Sequence, residues 1–124
     1  MDRKTLISVI LGGILGACAR WGLLEILPVT GAWPWQVFIV NVAGCGVLGV
    51  LVGGFSSKSK WFTGATTGFC GAFTTFSAFS VDIAEFVRDE RYTMGASYLI
   101  ASSCVGLLAY ILSKRSLMIR MSSK

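Results

Sequence analysis

The chain reads as an all-α membrane protein of four transmembrane helices, and three observations predict that class. Of its 124 residues, 54% are hydrophobic. Four stretches, 5–19, 26–57, 61–81 and 92–113, carry no charge at all. The connections between them are too short to hold a soluble domain. A helix rising about 1.5 Å per residue crosses a bilayer core with roughly 20 apolar residues, and lipid cannot satisfy an open backbone. The predicted spans are therefore 6–26, 34–55, 61–87 and 92–113, joined as antiparallel neighbours in a single domain over 1–124, with a short basic tail at 116–124.

Charge supports this layout. The eleven Lys and Arg give a net +5, and most stand at span ends: Arg3, Lys4, Lys58, Lys60, Arg88, Arg91, Lys114 and Arg115, then Arg120 and Lys124. That is the placement of anchors in a lipid bilayer, not of a nucleic-acid surface. Trp21, Trp33, Trp35 and Trp61 lie near the same ends, where amphipathic rings favour the headgroup level. Cys18, Cys45, Cys70 and Cys104 fall one to a span without C-x-x-C spacing and read as small buried hydrophobes. Histidine is absent, which removes the commonest transition-metal ligand and the usual proton shuttle at neutral pH. Neither redox nor zinc chemistry is expected, and the chain is not expected to be an enzyme.

Span 1 opens with Arg3-Lys4, an apolar run and Ala17-Cys18-Ala19, a pattern shared with signal peptides, but the run continues past Arg20 to full spanning length. Small residues recur four apart in every span: Gly12 and Gly16, Gly49 and Gly53, Gly64 and Gly68, Ser102 and Gly106. Such spacing lets helices approach closely and predicts a tight bundle. Four helices of this length hardly enclose a pathway on every side, so a homo-oligomer is expected.

Polar groups inside apolar spans are the best functional pointers, because lipid makes them expensive. In span 2, Asn41 either lines a pathway or holds two spans together by hydrogen bonds. In span 3, Gly71-Ala72-Phe73-Thr74-Thr75 combines a glycine, β-branched residues and hydroxyls that compete for backbone partners. Either the helix breaks there, freeing carbonyls that can coordinate a cation, or the threonines bond back to the preceding turn. Phe76 and Phe79 share a face, with Ser77 and Ser80 beside them. They are either packing or rings whose positive edges favour a small anion without a fixed charge. Asp82 and Glu85 lie toward the span's end, where water or a Glu85–Arg88 pair would satisfy them. Tyr98 and Ser102, four apart in span 4, either track an ion or bond neighbouring helices.

Three blocks carry a resemblance: Gly12-Gly13-Ile14-Leu15-Gly16-Ala17-Cys18-Ala19-Arg20, Val40-Asn41-Val42-Ala43-Gly44, and Gly68-Phe69-Cys70-Gly71-Ala72-Phe73-Thr74-Thr75-Phe76-Ser77. With them the chain closely resembles the Fluc (CrcB) family of small fluoride channels, across all four spans. The resemblance implies a multi-pass protein of the cell membrane, the inner membrane of a bacterium, that passively exports fluoride from the cytoplasm and protects against its toxicity. It also implies a third helix broken near its middle and an antiparallel homodimer of dual topology with two pores. By that pattern Phe76 and Phe79 face fluoride edge-on, Asn41 is the pore asparagine, and Ser77, Tyr98 and Ser102 belong to the polar track. The carbonyls of Gly71 and Thr74, from both subunits, would surround a structural sodium ion (Na+). Arg20 matches an arginine near the end of span 1. Two positions depart from the pattern: Gln36-Val37 stands where Gly-Thr is frequent, and Gly106 where serine can occur. The alternative function is a small multidrug-type proton-coupled antiporter, which needs a carboxylate deep in the membrane.

Overall fold

The computed structural model describes residues 2–29, 31–54 and 59–122, with the side chains of 120–122 outside that description. Phe55 at the predicted end of span 2, the anchors Lys58 and Lys124, and the Arg120 side chain thus lie outside the described residues.

Helix α1 (Arg3–Ile26) begins at Asp2, whose Oδ1 accepts the Thr5 N–H at 2.9 Å and so caps the first turn. It ends where Leu27 turns extended. There the Gln36 side chain donates to the carbonyls of Leu24 (3.0 Å) and Leu27 (2.6 Å), two acceptors that the helix end leaves open. Gln36, a departure from the resembled pattern, thereby fastens the end of α1 to the start of α2 (Trp35–Gly54).

The third span, Lys60–Arg88, is not one regular helix. It comprises α3 (Lys60–Thr63), a π-helical stretch over Gly64–Cys70, one further turn α4 (Gly71–Phe73), an extended step at Thr74 and Thr75, and α5 (Phe76–Arg88). The expected break near the middle is present, at the last two residues of the Gly71–Thr75 stretch. Gly71 is helical (φ −64°, ψ −34°), while Thr74 (−78°, 160°) and Thr75 (−141°, 112°) are extended. β-Branched residues favour that region. A tight turn with Glu90 at φ 58° leads into α6 (Tyr92–Ser122).

Among the described residues, four helical segments are long and apolar enough to span: Arg3–Ile26, Trp35–Gly54, Lys60–Arg88 and Tyr92–Ile119. Helix α6 runs past the expected span end at Ser113 and takes in the described part of the basic tail expected at 116–124. Between Gly106 and Ser122 no glycine or proline interrupts it.

The principal packing joins alternate spans rather than sequence neighbours: α1 lies along the first half of the third span, and α2 along α6. Each pair is parallel, since contacts advance together along both helices. A Cβ added at Gly64 would meet the Ser8 carbonyl at 2.6 Å, and one at Gly68 the Val9 carbonyl at 2.5 Å. Likewise Gly53 abuts the Lys114 carbonyl at 2.7 Å and Gly106 the Cys45 sulfur at 3.2 Å. Small-residue spacing therefore does create the close contacts, as membrane helices lacking a hydrophobic drive toward each other require. Few side chains are fully buried, with Val40 and Tyr98 at 0% exposure, and most large apolar residues face outward. Cys18 and Cys104 are also exposed, unlike the buried positions expected for them; Cys70 is buried and Cys45 half-buried.

Candidate functional site

The extended step at Thr74–Thr75 is held from two sides. Asn41 on α2 forms a pair of bonds with one peptide unit's residue: its Oδ1 accepts the Thr75 N–H at 2.8 Å and its Nδ2 donates to the Thr75 carbonyl at 3.1 Å. In a continuous helix the Thr75 N–H would go to the carbonyl of Gly71. The amide group of Asn41 has taken its place, so the break costs no unpaired donor. From α1, Arg20 Nη1 donates to the Thr74 carbonyl at 3.1 Å. Arg20 therefore turns inward to the middle of the third span rather than out to the headgroups. Six more residues of α1, about 9 Å of helix, lie beyond it.

Once broken, the chain restarts efficiently. Thr75 Oγ1 accepts the Ala78 N–H at 3.1 Å and caps α5. Thr74 Oγ1 donates back to the Cys70 carbonyl (2.9 Å), Ser80 Oγ to that of Phe76 (2.8 Å), and Ser77 Oγ lies 3.2 Å from Thr75 Oγ1. These hydroxyls are largely committed to the backbone and to each other.

A cavity of about 320 Å³ opens beside the break. It brings together Asn41, Phe76, Phe79 and Ser102 with Thr74, Thr75, Cys45 and Ser103. Four of the sequence-predicted pathway residues thus share one space, while Ser77, Tyr98, Gly71 and Arg20 lie outside its lining. Ser102 Oγ is buried without a hydrogen-bond partner, a costly state for a hydroxyl in a membrane helix. Asn41 has one amide N–H left after its bonds to Thr75. Phe76 and Phe79 have ring centroids 5.9 Å apart and tilted by 35°. Phe76 is 80% exposed, so one side of this cavity is open on the isolated chain.

Tyr98, fully buried, stands behind Phe79 with centroids 5.1 Å apart, and donates its hydroxyl to Asp82 Oδ2 at 3.0 Å. The ladder expected of Tyr98 and Ser102 is thereby split: Tyr98 bonds a neighbouring helix and Ser102 faces the cavity. A second cavity, of about 260 Å³, lies on the far side of Tyr98 and includes Trp33, Gln36, Asp82 and Glu85. Trp33 meets Tyr98 edge-on at 5.1 Å and 85°, so it is part of the interior and not only a depth marker. Arg88 pairs with Asp89 at 3.3 Å, not with Glu85. The sequence reading placed Thr75 in the weak stretch of span 3 but gave it no site role, and it gave Trp33 only a role in setting depth. Thr75 carried a legible cue, a threonine just before the Phe76–Phe79 periodicity; Trp33 sits in a loop, where periodicity says nothing.

The groups that meet at this cavity are neutral: the Asn41 amide, the Ser102 hydroxyl and the rings of Phe76 and Phe79, with the Arg20 guanidinium on the adjoining Thr74 carbonyl. The model of the CrcB-like protein family, described as camphor resistance (CrcB), matches residues 7–114. The chain is 36% identical over 123 residues to the fluoride-specific ion channel FluC of Pyrococcus abyssi, covering 93% of this chain and 100% of that one. It is 39% identical over 105 residues to the fluoride-specific ion channel FluC 2 of Rhodococcus jostii, covering 85% and 91%. To the fluoride-specific ion channel FluC of Oceanobacillus iheyensis it is 34% identical over 114 residues, covering 87% and 88%.

Proposed function

The chain belongs to the CrcB-like family, and on that premise we infer that it is a passive fluoride-selective ion channel, a multi-pass membrane protein that lets fluoride leave the cytoplasm. Hydrogen fluoride is a weak acid that enters as a neutral molecule and ionises inside. A negative-inside potential then expels the anion at about 2.3 kcal/mol per charge per 100 mV, so no pump is needed.

The observation that carries the site assignment is the cavity in which Asn41, Phe76, Phe79 and the unpartnered Ser102 hydroxyl meet. Ring edges and neutral donors bind an anion weakly enough to release it, as conduction requires. We assign the fluoride pathway to these four residues, with Tyr98 as the wall behind Phe79 and Ser77 at the α5 start. Arg20 acts on the pathway through the Thr74 carbonyl. The antiporter alternative lacks support: Asp82 and Glu85 lie on the other cavity, beyond Tyr98.

The proposed assembly is an antiparallel homodimer. Its support is the open side of the cavity at Phe76, which a second copy would close. A sodium ion would be held at the dimer centre by the carbonyls of Gly71 and Thr74 from both copies, where it would neutralise oxygens that the broken helix leaves facing one another. The donor set fits in part. The Gly71 carbonyl has lost the Thr75 N–H, and an added Cβ at Gly71 meets nothing within 4 Å, so the backbone there is open to approach. The Thr74 carbonyl already accepts from Arg20 and has one lone pair left.

The discriminating experiment measures fluoride efflux from liposomes under an imposed potential, with and without a pH gradient. Electrogenic efflux at zero pH gradient is expected; strict dependence on a proton gradient would restore the antiporter.

A further inference from the structure

At the end of the bundle where α1 and the third span both begin, the two helices touch about one turn in. The contact is at Ser8, whose buried hydroxyl donates to the Lys60 carbonyl at 2.9 Å, and at Gly64, where an added Cβ would lie 2.6 Å from the Ser8 carbonyl. Above this floor a cleft of about 200 Å³ opens, lined by Lys4, Ile7, Ser8, Lys60 and Trp61. Its walls are apolar and face outward, with Ile7 55% and Trp61 75% exposed. Its rim carries two ammonium groups. Lys60 is paired with Asp2, so among the described residues the two lysines and one carboxylate leave the rim at +1.

We propose that this cleft holds an anionic phospholipid, its phosphate between Lys4 and Lys60 and its acyl chains along Ile7 and Trp61. Charge complementarity selects the occupant. The rim sits where spans begin, at headgroup depth, and Trp61 is the kind of side chain that rests there. The lysine stems extend the apolar wall while their charged ends stay in the wet layer. A zwitterionic lipid offers the same phosphate, but its own cation opposes the net positive rim. One uncompensated basic charge near an anionic surface is worth about 1 kcal/mol, or roughly a fivefold preference.

The test uses the full chain in vesicles and follows Trp61 fluorescence, taken as the difference between the parent and Trp61→Phe, with brominated phosphatidylglycerol or brominated phosphatidylcholine as quencher. Stronger association of phosphatidylglycerol by about fivefold is expected. Lys4→Gln should erase the preference, Lys4→Arg should keep it, and fluoride flux should be unchanged in both. Lys60→Gln, which frees Asp2 to offset Lys4, should erase the preference as well. Equal quenching by the two lipids overturns the proposal. So does shielding of Trp61 from both, which would mean that a second copy covers the cleft, and so does abolition of the preference by dissolved inorganic phosphate, which would mean a free-anion site.

Discussion

Phe76 and Phe79 put the question of anion binding at its smallest scale. An aromatic ring presents a negative face and a positive edge, and edge contacts are worth about 0.5–1.5 kcal/mol. Isoleucine keeps the bulk without the edge. Phe76→Ile or Phe79→Ile should therefore lower fluoride flux by about tenfold, the effect of roughly 1.4 kcal/mol, with the protein still assembled by size-exclusion chromatography. Flux at the parent rate would reduce these rings to packing. Asn41 combines both roles open to it in the sequence, since it clamps Thr75 and also lines the cavity. Asn41→Asp removes the donor to the Thr75 carbonyl and puts a negative charge in an anion path. Flux should fall, and thermal unfolding in detergent should report a loss of about 1–3 kcal/mol from the backbone group left unmet. A variant as stable as the parent would argue against the clamp.

Among the elements, the contact between α1 and the third span rests on glycines that face each other. An added Cβ at Gly12 would clash with the Gly64 carbonyl, whereas one at Gly13, its sequence neighbour, meets nothing within 4 Å. Gly12→Ala should therefore destabilise the bundle by about 1–3 kcal/mol, and Gly13→Ala should be neutral or stabilising by up to about 1 kcal/mol. Equal effects in a thermal unfolding assay would contradict the packing. The same elements mark how far the sequence could be read. Span existence followed from uncharged length, and the glycine spacing foretold close contact. Which spans would touch did not follow, because a four-residue spacing names a face and not its partner. The break was legible as a weak helix around Gly71 to Thr75, but its position depended on Asn41, whose amide competes for the Thr75 N–H from another helix. Arg20 stood out as a charge near the end of span 1, but its partner was not legible, since only the third dimension brings the Thr74 carbonyl within reach.

On the scale of the whole molecule, the unsettled balance is between charge and symmetry. By the order of the four spans in the sequence, the N-terminal side is expected to hold Arg3, Lys4, Lys58, Lys60, Lys114, Arg115, Arg120 and Lys124, and the other side Arg88 and Arg91. With Arg20 turned inward, the excess is larger than the sequence alone suggested, and it favours one orientation with both termini in the cytoplasm. An inverted pair requires both orientations. Labelling of Ser116→Cys, in a background without Cys18, Cys45, Cys70 and Cys104, should succeed from both faces of intact cells; reactivity from the cytoplasmic face alone would leave a parallel assembly. Neither orientation alters the central claim, that neutral donors and ring edges beside a broken helix pass fluoride. Its most direct measurement is ion efflux from liposomes that hold the purified protein, fluoride set beside chloride under the same potential. Rapid fluoride release with chloride retained is the predicted result, and equal release of the two anions would contradict the account.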